Sequence, residues 1–133
     1  MNSFSGHITD IRTSDALSVV TVSVDTAVTF KAIVIDNPET APYLSEGHAV
    51  HVLFKETEVV IATGKDPAVS LQNRVKGTIS AIDKGLLLSR IVIHTPIGEL
   101  VSVISTNAVD ALGLTENKNV IAMIKLNEVA LAP

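Results

Sequence analysis

Short apolar stretches alternate with polar turns along the whole chain, and their spacing predicts strands. HITDI (7–11), LSVVTVSV (17–24), TFKAIVI (29–35), AVHVLFK (49–55) and EVVIA (58–62) form a first series, with a turn carrying Pro38 and Pro42 between the third and fourth. A second series follows: VKGTISAID (75–83), LLLSRIVIH (86–94), Glu99–Ser105, VIAMIKL (120–126) and EVALA (128–132). These runs are rich in β-branched residues and are bounded by Gly, Pro, Asn and Asp, the marks of short strands. Gly77 inside its run predicts a bulge or a close backbone approach. Thr95–Gly98 predicts a hairpin turn. NAVDALGL (107–114) breaks the alternation: Val109 and Leu112 stand at helical spacing and Gly113 is placed to stop a single short helical turn.

The two series are copies of one unit. LSEGHAVHVLFKETEVVIA (44–62) aligns with LTENKNVIAMIKLNEVALA (114–132) at a shift of 70, with Leu44, Glu46, Val50, Lys55, Glu58, Val59 and Ala62 facing identical residues. Nearer the amino end the shift is 71 and pairs Asn2 with Asn73, Gly6 with Gly77, Ile8 with Ile79 and Ile11 with Ile82. One residue is therefore lost between the blocks, most cheaply in a hairpin turn. The repeats span 1–64 and 70–133, with a linker over 65–69. Five short strands and a helical turn per repeat predict an all-β chain of two tandem OB-like five-stranded Greek-key barrels. So small a unit buries little by itself, so the repeats are expected to intertwine or the chain to oligomerise.

Composition narrows the class. Of the 133 residues, 47% are hydrophobic and only 3% aromatic, so Val, Ile, Leu and Ala must supply the core. There is no cysteine, which removes disulfides, thiol catalysis and thiolate zinc sites. No apolar run approaches the roughly 18 to 20 residues of a membrane span, and no secretory signal pattern opens the chain, so a cytoplasmic location is expected. Ten basic residues, scattered rather than clustered, face 14 acidic ones for a net charge of −4. Phe4, Phe30, Tyr43 and Phe54 are few and far apart. Both features argue against a nucleic-acid surface. A local pocket can still hold a small anion against the sign of the global charge.

The second repeat carries, in order, S-x-x-N-x-x-x-G-T-I, then K-G, an apolar strand, V-I-S-T-N-A-V-D-A-L-G-L, V-I-A-M-I-K and E-V-A-L-A. This order resembles the molybdate-binding Mop/TOBE domain along essentially the whole repeat, whereas the first repeat matches mainly in its carboxyl half. A tandem pair resembles the di-Mop molybdate/tungstate-binding proteins and the effector domains of molybdate-responsive regulators. The absence of a helix-turn-helix ahead of Met1 leans towards the free-standing kind. The resemblance implies an OB-like barrel, strands exchanged between protomers, and molybdate or tungstate held at subunit interfaces without an organic cofactor. It also implies a homo-oligomer, with a trimer of tandem chains favoured and a dimer as the alternative.

Site residues carry over one by one. The family's S-A-R-N segment stands here as Ser70-Leu71-Gln72-Asn73, keeping the serine and asparagine and replacing the arginine by Gln72. The hydroxyl residue after the third strand is Ser105, which the resemblance brings from a neighbouring subunit, and the lysine near the end of the fourth strand is Lys125. Thr106, Asn107 and Lys55 are weaker candidates. In the first repeat Ile35 replaces the hydroxyl residue and Met1 leaves no room for the serine, so that copy is expected not to build the same site.

The chemistry fits. Molybdate and tungstate are tetrahedral dianions with four accepting oxygens, and Ser, Asn and Gln donors with one Lys suit them. The Lys125 bonds would be the strongest individual contributions. Gln72 offers two N–H donors but not the charge or planar fork of arginine. Each residue also has a plainer role: Ser70, Gln72 and Asn73 as linker polarity, Lys55 and Lys125 as solvated strand ends, and Ser105, Thr106 or Asn107 as a helix cap. His48 and His51 lie three apart on a strand and point to opposite faces, so no metal site is expected. No nucleophile, phosphate-loop or paired-carboxylate motif is present, and no enzymatic activity is expected. The reading is a protein that binds, stores or buffers molybdate or tungstate. Its alternative is an oligomerising regulatory scaffold whose anion sites have decayed.

Overall fold

A computed structural model describes residues 1–133. Its strands are β1 (Asn2–Ser14), β2 (Leu17–Val24), β3 (Val28–Val34), β4 (Ala49–Phe54) and β5 (Val60–Ala62), then β6 (Asn73–Lys84), β7 (Leu88–Thr95), β8 (Gly98–Ser105), β9 (Asn119–Ile124) and β10 (Ala130–Ala132). One α-helix, α1 (Thr106–Leu112), follows β8, and single 3₁₀ turns (Glu56–Glu58 and Leu126–Glu128) precede β5 and β10. All ladders are antiparallel and build two five-stranded sheets, β10-β4-β1-β2-β3 and β5-β9-β6-β7-β8. Each sheet curls so that its short fifth strand comes back towards its third-strand edge, as an OB-like barrel requires.

The fifth strands are exchanged. β5 of the first repeat pairs with β9 through Val60–Met123 and Ala62–Ile121, and β10 of the second pairs with β4 through Ala130–Leu53 and Ala132–His51. The expected intertwining therefore takes place within one chain. Buried residues of both repeats merge into one continuous core, from Phe4, Phe30 and Phe54 to Ile79, Ile93 and Leu100. The three phenylalanines stack with centroids 5.7 to 6.3 Å apart. They are remote in sequence but gathered in the core of the first sheet, where no base can reach them. Val75, Leu100 and Ile124 take their places in the second.

The missing residue falls in a hairpin turn. Val24 faces Val28 across the three-residue loop Asp25–Ala27, whereas Thr95 faces Gly98 across only Pro96 and Ile97. Gly77 marks a close approach: a Cβ there would lie 2.5 Å from Ile93 Cγ2 and 2.6 Å from the His94 carbonyl oxygen. The bulge itself comes two residues later, between Ile79 and Ala81.

Three elements differ from the sequence expectation. β1 and β6 begin earlier, at Asn2 and Asn73, because each asparagine occupies an inward position of the strand. The LLL run does not enter β7: Leu86 and Leu87 sit in the turn, 93% and 77% exposed, and pairing begins at Leu88. In the first repeat, the position of α1 holds a single turn closed by Ala41 N–H to the Asn37 carbonyl at 2.9 Å, beside Pro38. In the second, Gly113 ends α1 in the left-handed conformation (φ 61°), and Leu114 N–H bonds back to Val109 C=O at 3.0 Å.

Candidate functional site

The β6–β9 ladder places Asn73 opposite Ile124, so the register carries Gln72 opposite Lys125 at the same end of the sheet. Both side chains are exposed, as is that of Ser70, and none of the three donates to another atom of the chain. Lys125 is held in extended conformation (φ −67°, ψ 144°) as it leads into the 3₁₀ turn Leu126–Glu128. Gln72 and Lys125 thus lie just beyond one end of the β6–β9 ladder, with Ser70 two residues before Gln72.

Asn73 stands apart from them. It is 1% exposed; its Oδ1 accepts from Lys31 N–H and its Nδ2 donates to Lys31 C=O, both at 2.8 Å. The side-chain amide closes onto the open edge of β3 as a neighbouring strand would. Asn2 does the same to Val101 on the open edge of β8, again with both bonds at 2.8 Å. The Oδ1 and one Nδ2 hydrogen of Asn73 are thus committed to Lys31, which leaves an anion at most the second Nδ2 hydrogen of a buried side chain. Edge pairing by a side chain leaves no binary-pattern signal, since an asparagine at a core position reads as a loop residue.

Ser105 is the N-cap of α1, its Oγ accepting from Ala108 N–H at 3.1 Å. Its hydroxyl hydrogen stays free for another acceptor. Thr106 is buried in a network with Ser89 Oγ and the Gly85 carbonyl, both at 2.8 Å, which ties α1 to the β6–β7 turn. Asn107 is exposed on the first turn of α1. Although Ser105 and Lys125 both belong to the second repeat, the turn after Lys125 is not the one that packs on the strand carrying Ser105. The 3₁₀ turn after Lys125 packs on β3, which ends at Val34 just before Ile35, whereas the turn after Lys55 packs on β8, which ends in Ser105. That second crossover is pinned by Ser102 Oγ donating to Val59 C=O at 2.8 Å. Lys55 is followed by Glu56, which lies 4.0 Å from Arg90 and 3.6 Å from the Met1 ammonium, where the second repeat has Leu126.

The chain has three clefts, and Ser70, Gln72, Ser105 and Lys125 line none of them. Lys55 borders the smallest, about 130 Å³, with Met1, Glu58 and Glu128. The largest, about 700 Å³, lies between the linker and the second sheet and is lined by Lys65, Lys76, Thr78, His94 and Asn119 among others. Sequence reasoning missed this grouping because its lysines come from two segments that only the fold brings together. Of the other histidines, His51 Nδ1 meets Ser5 Oγ at 3.2 Å, and His48 packs against the Tyr43 ring. No group of three or more His, Asp or Glu side chains is arranged to hold a metal ion. The Tyr43 phenol is pushed above its ordinary range by burial, with the Asp36 carboxylate adding to the shift.

Residues 70–131 match the TOBE domain. The chain is also 32% identical over 65 residues to molybdenum-pterin-binding protein 3 of Clostridium pasteurianum, covering 96% of that protein and 48% of this one. The chain belongs to the Mop/TOBE family. Two longer relatives are matched across both repeats. The molybdenum transport protein ModE of Herbaspirillum seropedicae is 29% identical over 98% of this chain, and the molybdenum-pterin-binding protein MopA of Rhodobacter capsulatus is 30% identical over 87% of it. This Mop/TOBE chain spans about half the length of those two, 49% and 46% respectively. Its fold superimposes on the cytoplasmic molybdate-binding protein ModG, in a crystal form with molybdate bound, with a TM-score of 0.91 at 23% identity. The match covers 98% of this chain and 94% of ModG, and so extends the likeness of fold to the entire tandem arrangement. No helix is long and apolar enough to cross a membrane.

Proposed function

We propose that this Mop/TOBE chain binds molybdate or tungstate without chemical conversion, as a cytoplasmic store or buffer, at sites completed where copies of the chain meet. The observation that supports the reading is the register that sets Gln72 across from Lys125 just beyond the β6–β9 ladder, with both side chains and that of Ser70, two residues earlier, exposed and free. A cation and neutral donors in fixed positions match a fully ionised tetrahedral oxyanion. Because these residues line no cleft of a single chain, a second wall is needed, and the free hydroxyl hydrogen of Ser105 from another copy is the donor we assign to it.

Exposed Leu86, Leu87, Leu88 and Ile35 supply apolar surface for such contacts, at the β6–β7 turn and beyond the end of β3. A trimer is our preferred assembly and a dimer the alternative. The decisive experiment is calorimetric titration with molybdate, tungstate, sulfate and phosphate while mass is followed by light scattering. Heat from molybdate or tungstate alone, at fewer sites than chains, is the expected result. A stable oligomer that takes up no anion would replace this reading with the second one, an oligomerising regulatory scaffold. That alternative draws its support from Asn73, whose amide is committed to Lys31, and from the uncharged Gln72.

A further inference from the structure

We propose that the cleft between the linker and the second sheet is a separate binding site for a small polyanion bearing phosphate or carboxylate groups. Its floor is made by β6, β7 and β9, and the linker with Gly64 and Lys65 forms one wall. An adjoining cleft of about 470 Å³ shares Lys65, Lys76, Pro96 and Ile121 and continues towards Arg74. At about 700 Å³, the main cleft alone falls in the range of small-molecule pockets.

The free groups in it are donors. Lys65 and Lys76 form no ion pair within the chain, although carboxylates outnumber basic residues overall by 14 to 10. Thr78 Oγ1 donates to Asn119 Oδ1 at 3.0 Å, which fixes that amide and leaves its Nδ2 hydrogens without an acceptor in the chain. His94 contributes a ring nitrogen; the carboxylate nearest to it in the ladder is its cross-strand partner Glu99. Asp66, the carboxylate lining the adjoining cleft, faces Arg74 at 3.4 Å.

The wall is also held in place. Arg74 donates through Nε to the Leu71 carbonyl and through Nη2 to that of Val69, both at 2.9 Å, so the linker's exit is pinned against the start of β6. A site whose wall is already fixed loses less on binding than a mobile loop does. No Phe, Tyr or Trp lines either cleft, so a nucleobase or other flat ring would find only the His94 imidazole to stack on. Two lysines at the junction of two connected clefts suit an elongated ligand with at least two anionic groups. The fold does not demand this chemistry. At the equivalent positions of the first repeat, Lys76, Thr78, His94 and Asn119 become Ser5, His7, Ser23 and Ala49.

The test uses the full chain and two probes, pyrophosphate and citrate, titrated separately at constant ionic strength with amide NMR and calorimetry. Localised shifts at Thr78, His94 and Asn119 are expected with at least one probe, and which probe responds separates a phosphorylated from a polycarboxylate ligand. The double variant Lys65→Ala/Lys76→Ala should weaken that binding at least tenfold while leaving molybdate heats unchanged, because neither lysine belongs to the Lys125 site. Absence of localised shifts with both probes, or equal affinity in the double variant, overturns the proposal. Loss of molybdate binding alone would leave it standing.

Discussion

Asn73 grips the main chain of Lys31 from the opposite repeat, accepting from its N–H and donating to its C=O at 2.8 Å each. The bond pair joins the start of β6 to the free edge of β3, and Asn2 with Val101 mirrors it between β1 and β8. Asn73→Ala should therefore destabilise the fold by about 1 to 3 kcal/mol, since it strands a buried donor and acceptor. Asn2→Ala should cost a similar amount. Urea unfolding of the two variants checks this. An unchanged midpoint for Asn73→Ala, coupled to weaker anion binding, would return Asn73 to the ligand set.

Lys125 and Lys55 occupy equivalent places before equivalent 3₁₀ turns, but the register beyond the β6–β9 ladder sets Gln72 across from Lys125, whereas Met1 stands in that place for Lys55. Lys125→Ala should weaken molybdate binding tenfold or more, and Lys55→Ala should change it little. Equal losses in calorimetry would mean that both repeats bind.

Ser105 carries two roles that can be separated. Ser105→Ala removes the cap on α1 and should cost about 0.5 to 2 kcal/mol of stability together with anion affinity. Ser105→Asp keeps a capping oxygen but sets a carboxylate where the anion is expected. It should melt near the parent temperature and bind no molybdate. Full binding by Ser105→Asp would remove Ser105 from the site.

Tyr43 is the sole tyrosine, so ultraviolet absorbance reports its ionisation directly. Burial, reinforced by Asp36, raises its pKa in the folded state above the ordinary value of 10.0. The neutral phenol is thus favoured on folding. Its contribution to stability is complete below pH 10 and is lost as pH rises through the folded-state pKa. Titration of the native chain should show a midpoint above 10, moving down in denaturant. Tyr43→Phe should flatten the alkaline loss of stability.

Most of the fold was legible because the repeat could be read from its own residues. The 70 and 71 shifts called for a hairpin one residue shorter, which the structure places at Pro96–Ile97, and Gly113 marked the end of α1. Leu86 and Leu87 misled, since three leucines in a row read as core until their exposure at the turn is seen. The site was legible only in part. The register does set Gln72 across from Lys125, but Asn73 looks the same in sequence whether it faces an anion or a strand edge. Lys65 and Lys76 drew no notice because the cleft they share exists only once the linker is laid across β6.

The exchanged fifth strands also decide when this protein becomes a protein. During synthesis, β1 to β4 emerge early, yet the strand that completes their sheet, Ala130–Ala132, follows all nine other strands in the chain. Its partner Val52 lies 79 positions upstream of Leu131, a separation that makes closure slow. Until β10 is made the edge of β4 stays bare, open to the same strand of a neighbouring nascent chain. Nascent chains crowded on one messenger are positioned to trade these clasps, and intermolecular pairing competes with the internal one until residue 132 is free.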